Sequence, residues 1–241
     1  METSLLSVWK PLATTPLLWL AVTIGAYVAG RFIQRVCRGS PIANPVLVAI
    51  VIVGALLEAT GTSYETYFAG AQFIHFLLGP ATVALAVPLA RNLGHVRRSF
   101  QGVGLAIIAG SVTSTLSGIA VVWLLGGGRP IVFSMAPKGV TTPIALALAQ
   151  EAGGIPALTA ALAIAGGIIA AVVGQTVFRW LRVDDWRAHG LAAGVAGSGV
   201  AAAQVAPLSG LAAAFAALGI GLNALLTAVI VPLIAMMWPV N

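Results

Sequence analysis

Long apolar runs alternate with short polar clusters along the whole chain, and the charged residues fall almost entirely in the clusters. Most of the runs approach or exceed the roughly 20 residues that a helix needs to cross the hydrocarbon core of a bilayer. This pattern predicts an all-α fold, a polytopic bundle of transmembrane helices. The predicted segments are 16–33, 45–57, 68–90, 102–125, 131–150, 155–178, 188–206 and 208–237.

Glycine and proline interrupt two of these segments. Gly79-Pro80 and Pro88 fall inside the third segment, and Pro137 and Pro143 fall inside the fifth. Proline lacks an amide hydrogen and clashes with the preceding turn of a helix. We therefore expect broken helices in both segments.

The segments can be overlaid as two halves. A constant shift of 114 residues, the separation of His75 from His189, brings the first half onto the second to within a turn or two. We predict one membrane domain, 1–241, built from two pseudo-symmetric repeats over 12–125 and 129–239. The alternative is that evenly spaced membrane helices overlay in this way without being related.

The basic clusters indicate how the chain is oriented, because basic residues near the ends of membrane helices prefer the cytoplasm. The clusters at 31–38 and 91–98 are therefore expected inside. If the fifth segment crosses the membrane, the cluster at 179–187 lies outside. If the fifth segment dips in and returns, that cluster is cytoplasmic too and the repeats are inverted. We favour the second solution.

The amino-acid composition favours a membrane protein and argues against an enzyme or a nucleic-acid-binding protein. Hydrophobic residues make up 59% of the chain and charged residues 7%, against about 25% charged residues in an ordinary globular domain. The net charge of +6 lies in loops between apolar runs, which favours a lipid bilayer over nucleic acid as the partner. Cys37 is the single cysteine, and the sequence has no histidine cluster, nucleophile elbow or phosphate loop. We predict no enzyme activity, no catalytic residue, no cofactor and no metal site.

Lys138 is the first candidate for chemistry. If Arg129 marks the membrane surface, Lys138 lies about 14 Å deep, near the middle of the hydrocarbon core. A charge there costs about 2.5–3.5 kcal/mol and should face protein or a water-filled cavity. A helix beginning near Thr141 or Thr142 would add unpaired N–H groups and hydroxyls, so the site suits a small carboxylate anion. The alternative is that Lys138 snorkels to an interface.

The second candidate is the small-residue run at 194–204. Its glycines, Gly197 among them, permit an unwound stretch, and Ser198 and Gln204 are its side-chain hydrogen bonders. Tight helix packing is the alternative explanation of such a run. In the first half, Gly79 and Thr82 occupy the corresponding broken segment.

Asn223 is a further intramembrane polar residue. We include it among the predicted substrate-binding residues, although a single polar residue in a membrane helix more often bonds a neighbouring helix.

Five stretches of the sequence resemble the LrgB/CidB family. LLGPATVALAVPL and APKGVTTPIA, at 77–89 and 136–145, are the most specific of them. The resemblance covers most of the chain from about Asn44. The stretches are Asn44-Pro45, 64–88, 136–144, 153–159 and 219–227.

The resemblance implies a multi-pass protein of the bacterial inner membrane with a small LrgA/CidA-like membrane partner. It also implies two alternative functions. One is transport of small monocarboxylates of the glycolate, pyruvate or lactate class, because the plastidal glycolate/glycerate transporter is similar to an LrgA–LrgB fusion. The other is regulation of murein hydrolase activity and autolysis as part of a holin-like system that carries no solute.

The lysine at a helix break leads us to favour transport. A homo-oligomer is an alternative to a monomer.

The sequence departs from the family in one motif: Ser198 and Gln204 stand where relatives tend to have histidine and arginine. If those two residues bind substrate in the relatives, specificity or activity has changed here, and Lys138 is the main remaining cation of the core.

Overall fold

The described part of the chain is helical in this computed structural model, as the sequence predicts. It comprises residues 16–37, 43–77, 80, 83–84 and 86–238. The chain divides into two compact units, Met1–Ala84 and Leu85–Asn241. Unit 1 contains α1 (Pro16–Val36), α2 (Pro45–Thr60) and α3 (Tyr64–Phe76). Unit 2 contains α4 (Ala86–Arg91), α5 (Leu93–Arg98), α6 (Phe100–Leu124), α7 (Arg129–Met135), α8 (Thr142–Ala152), α9 (Pro156–Leu181), α10 (Trp186–Val205) and α11 (Gly210–Met237).

Within the described residues, four helices are long and apolar enough to cross a membrane, namely Leu17–Val36, Phe100–Leu124, Pro156–Leu181 and Gly210–Met237. The prediction of a polytopic membrane bundle is thereby confirmed. The third predicted segment begins as α3, and α4 begins at its far end; Gly79 lies outside the described residues. The division into two repeats stays a prediction.

In unit 1, α1 packs against α2 and α3. Asn44 caps α2, because its Oδ1 accepts the Val46 N–H at 2.8 Å, and Pro45 supplies the proline that suits a first helical turn. The backbone of Pro45 lies so close to Gly30 of α1 that a Cβ at Gly30 would be 2.7 Å from the Pro45 oxygen. The Trp19 ring is fully buried and meets the Tyr67 ring edge-on at 5.8 Å.

In unit 2, α7 and α8 form a hairpin, which we call hairpin 1. The helix ends at Met135, runs through turns to Thr141 and resumes at Thr142, with Pro137 and Pro143 at the break. The chain then returns to the level of α7. The Ile155 N–H donates to Ser134 Oγ at 2.7 Å, and Gly154 packs against the backbone of Phe133. The fifth predicted segment therefore dips in and returns rather than crossing.

α10 forms a second hairpin, hairpin 2, which turns at Ser198 (φ 49°, ψ −139°). Its first half lies alongside α11 in parallel, with Gly190 against Ala212 and Gly194 against Ala216. A straight α10 would then end about 25 Å from the start of α11, and the few residues between Val205 and Gly210 cannot span that distance. Its second half instead comes back to pack on the same part of α11. The prediction that 188–206 crosses the membrane is wrong.

The hairpins enter unit 2 from opposite ends. At one end, where α6 begins, Arg187 at the start of hairpin 2 donates to Ser99 Oγ at 3.1 Å. At the other, Arg129 at the start of hairpin 1 donates to the Ala235 carbonyl near the end of α11 at 3.3 Å. We call these the Ser99 end and the Arg129 end. The basic clusters at 91–98 and 179–187 therefore lie at one end, as the favoured orientation requires.

Candidate functional site

Asn223, at the middle of α11, joins the tips of the two hairpins. Its Nδ2 donates to the Gly139 carbonyl of hairpin 1 at 2.9 Å and to the Val195 carbonyl of hairpin 2 at 3.1 Å. Its Oδ1 accepts from Ser111 of α6 at 2.6 Å and from Thr227 at 3.4 Å. The amide is 1% exposed and its hydrogen-bonding capacity is filled. Asn223 therefore positions both hairpins, and its predicted contact with substrate stays a prediction.

Lys138 lies beside Gly139, at the tip of hairpin 1. Its Nζ donates to the backbone carbonyl of Ser114 at 2.5 Å. At ~1.5 Å per residue, Ser114 is about 21 Å from the start of α6 and about 15 Å from its end, so the amine lies near the middle of a membrane-crossing helix. This depth does not fit the alternative in which Lys138 snorkels to an interface.

Gly118 of α6 makes room for the amine. A Cβ at this position would lie 2.7 Å from Lys138 Nζ and 3.3 Å from Met135 Cγ. Among the described residues an ion pair joins Asp185 to Arg187, and Lys138 has no carboxylate partner. The half-buried ammonium is thus held by a carbonyl dipole without a balancing negative charge, which is the local imbalance that an anion would neutralise.

The start of α8 adds to the positive character of the tip. Thr141 is the N-cap in an extended conformation (φ −61°, ψ 143°), and its side chain makes no capping hydrogen bond. The first helical bond runs from the Ala145 N–H to the Thr141 carbonyl at 2.9 Å, so the N–H of Thr142 precedes the helical ladder. The predicted helix start at Thr141 or Thr142 is confirmed, and the hydroxyl of Thr141 remains available.

A cavity of about 540 Å³ lies between α9 and the two arms of hairpin 2, and Lys138 is part of its wall. Most of the wall is apolar. Its polar side chains besides Lys138 are Gln175, His189 and Gln204. His189 stacks on Phe178 at 4.1 Å between ring centroids, toward the Ser99 end. Lys138 and Gln204, which are both among the predicted substrate-binding residues, therefore border one space.

Ser198 and Gly197 form the tip of hairpin 2. A Cβ at Gly197 would meet Ala170 Cβ at 2.7 Å, and a Cβ at Gly167 of α9 would lie 3.1 Å from the Gly197 carbonyl oxygen. The run at 194–204 therefore serves both a chain break and tight packing. Ser198 is 8% exposed and its Oγ has no hydrogen-bond partner among the described residues. An unsatisfied buried hydroxyl costs about 1–3 kcal/mol. This residue and its positive φ are the strained point of the core.

Not every predicted residue is brought to this site. Gly79 and Thr82 lie outside the described residues, so their assignment stays a prediction. The sequence reasoning missed Gly118, Ser111 and Ser114, although a series of hydroxyl residues at 111–117 in an otherwise apolar helix is a visible signal of a polar, protein-facing side. The described residues contain no cluster of metal-ligating side chains.

Comparison with known proteins gives one consistent family. A model described as the LrgB-like family matches residues 23–237. Proteins named antiholin-like protein LrgB from Bacillus cereus (strain B4264) and Bacillus anthracis (strain A0248) are 30% identical over 219 residues, which is 91% of this chain and 95% of each relative. No solved structure matches this chain.

Proposed function

This chain belongs to the LrgB-like family, and from that premise we propose that it is an inner-membrane carrier of small monocarboxylates. The substrates would be of the glycolate, pyruvate or lactate class. The observation that carries the proposal is the Lys138 ammonium at the tip of a hairpin, without a carboxylate partner among the described residues and bordering a cavity between α9 and hairpin 2. Interrupted helices that meet near the bilayer midplane are typical of secondary transporters.

In the proposed site the substrate carboxylate pairs with Lys138 and accepts hydrogen bonds from the N-terminal turn of α8, at Thr141 and Thr142. The α8 dipole points its positive end at the same place. Ser198 and Gln204 contribute hydrogen bonds from hairpin 2, and the small size of Gly197 lets the chain turn there. Gly79 and Thr82 belong to the proposal on their sequence positions alone.

The mechanism follows from the opposed hairpins. Hairpin 1 enters from the Arg129 end and hairpin 2 from the Ser99 end, so movement of one tip would open the site toward a single side of the membrane. A bound anion neutralises Lys138 and lowers the cost of keeping that charge in the core. Binding would thereby favour the state in which the tips close on the substrate.

Uptake into proteoliposomes tests the carrier. The full chain, with and without its small LrgA/CidA-like partner, would be offered labelled glycolate, pyruvate and lactate. We expect saturable uptake that is lost in Lys138→Gln and kept in Arg129→Gln, a matched cation at the start of the same hairpin. Uptake that both variants keep, or that the unmodified protein lacks with every substrate and partner combination, would contradict the proposal.

The second candidate is an antiholin-like regulator of murein hydrolase activity and autolysis, acting through protein contacts. The relatives are named antiholin-like proteins, and this name favours the regulatory function more directly than it favours transport. Autolysis assays in cells separate the two candidates. A pure regulator should restrain lysis equally well with Lys138→Gln, whereas a protein that controls lysis by moving a carboxylate should lose the effect with that variant and keep it with Arg129→Gln.

A further inference from the structure

A second cavity, of about 740 Å³, lies at the Ser99 end of unit 2, away from the core site. It is formed where α5 meets α6 and where hairpin 2 begins. Arg97, Arg98 and Arg187 are in its wall, together with one acidic residue, Asp185. The cavity lies at the start of α6, a helix long and apolar enough to cross the membrane, and therefore at the depth where lipid headgroups are found.

The charges of this cavity do not balance. Arg187 is bound to Asp185, with Nη2 at 2.6 Å from Oδ2. Hydrogen bonds from the side chain and then the backbone N–H of Arg187 lower the pKa of the Asp185 carboxyl below its usual range, so Asp185 stays ionised and cancels Arg187. Arg97 and Arg98 have no ion-pair partner in the part of the chain that the structure describes. The cavity thus carries two uncompensated positive charges.

The first turn of α6 also borders this cavity. Ser99 occupies the N-cap position, but its side chain caps no backbone N–H and instead accepts from Arg187. The first helical bond joins the Val103 N–H to the Ser99 carbonyl at 2.9 Å, so the N–H groups of residues 100–102 precede the ladder. A Cβ at Gly102 would meet nothing within 4 Å, which leaves space beside these donors.

Apolar side chains continue from the cavity along the outer face of α6. Phe100, Leu105 and Ile108 are all exposed. A small soluble anion would not bury these apolar side chains, whereas the acyl chains of a lipid would cover them. Basic pockets between membrane helices commonly hold anionic headgroups. We propose that this cavity binds the phosphate headgroup of an anionic phospholipid through Arg97 and Arg98, with the acyl chains along α6.

The site is independent of the carboxylate carrier, so either proposal can fail alone. Its role follows from its position. A lipid there would hold α5 and the start of α6 against the Arg187 loop at the base of hairpin 2.

The test uses the purified full-length protein in detergent, titrated with phosphatidylglycerol or with phosphatidylcholine. Bound lipid is counted by native mass spectrometry, and thermal unfolding is followed in parallel. We expect Arg97→Gln/Arg98→Gln to weaken phosphatidylglycerol binding roughly fivefold for each arginine. The matched control is Arg31→Gln/Arg35→Gln, which removes two exposed arginines from α1. It should bind the lipid as the unmodified protein does.

Lipid-free unfolding temperatures should agree between the two double variants, which distinguishes a lost site from a damaged fold. Equally weakened lipid binding in both double variants would mean that the lipid responds to net charge alone. Unchanged binding in Arg97→Gln/Arg98→Gln would mean that these arginines do not form a lipid site. Each result overturns the proposal. In a further experiment, inorganic phosphate is added as a competitor of the bound lipid. Displacement of the lipid by millimolar phosphate would assign the cavity to soluble anions, whereas the proposal predicts none.

Discussion

The two hairpins reach the middle of the membrane from opposite ends, yet they turn by different means. Hairpin 1 interrupts its helix over residues 136–141 with Pro137 and Pro143, and its tip carries the ammonium of Lys138. Hairpin 2 turns at Ser198 with a positive φ and is packed among glycines and alanines. The prolines of its own sequence cause the first break, whereas the second break depends on packing against α9 and α11. We therefore expect hairpin 1 to hold the ligand and hairpin 2 to be the more adaptable of the two.

The largest effect should come from removing the residue that both hairpins share. Asn223→Leu leaves the Gly139 and Val195 carbonyls and the Ser111 hydroxyl without their partner. We expect the free energy of unfolding to fall by about 2–6 kcal/mol, measured by denaturant titration in detergent. Ser117→Ala, at an exposed position on α6, should change it by less than about 0.5 kcal/mol. Equal stability of the two variants would contradict the shared anchor.

Gly118 of α6 faces the tip of hairpin 1, so a substitution there should affect the ligand site. In Gly118→Ala the new methyl group would lie 2.7 Å from Lys138 Nζ and displace the amine. We expect carboxylate affinity to fall about tenfold, or about 1.4 kcal/mol, without loss of folding. Gly104→Ala on the same helix, where a Cβ meets nothing within 4 Å, should leave affinity unchanged. The measurement is equilibrium binding of a labelled monocarboxylate, and equal affinities would show that the position of the amine does not matter.

The smallest effect should arise at the tip of hairpin 2. Ser198→Gly relieves the positive φ and removes a buried hydroxyl without a partner among the described residues, so we expect it to stabilise the protein by about 1 kcal/mol. Ser198→Ala removes the hydroxyl but keeps the strain, and it should stabilise less. Thermal unfolding of the two variants separates these contributions. A Ser198→Gly protein less stable than Ser198→Ala would mean that the backbone there is not strained.

The sequence predicted hairpin 1 better than hairpin 2 for a physical reason. Pro137 and Pro143 disrupt a helix wherever they stand, so the break and the helix start at Thr142 could be inferred from residue types. Nothing within 188–206 forbids a continuous helix. The reversal at Ser198 depends on close contact with α9 at Gly167 and with α11 at Ala216, and these contacts exist only in the folded protein.

The candidate site was likewise predicted in part. The depth of Lys138 followed from its distance along the chain from Arg129, and the structure agrees. The partner of its amine could not be predicted, because it is a backbone carbonyl of α6 and carries no side-chain signal. Asn223 was predicted as a binding residue with a helix-to-helix bond as the alternative, and the hydrogen bonds to Gly139 and Val195 make that alternative its visible role.

Whether the Lys138 ammonium binds the substrate can be measured by equilibrium binding of a labelled monocarboxylate to purified Lys138→Gln and Arg129→Gln proteins. Both variants lose one positive charge from hairpin 1, but only Lys138 lies at its tip. We expect saturable binding that Arg129→Gln retains and Lys138→Gln loses, while the stability of Lys138→Gln does not fall. Binding of equal affinity in the two variants would contradict it.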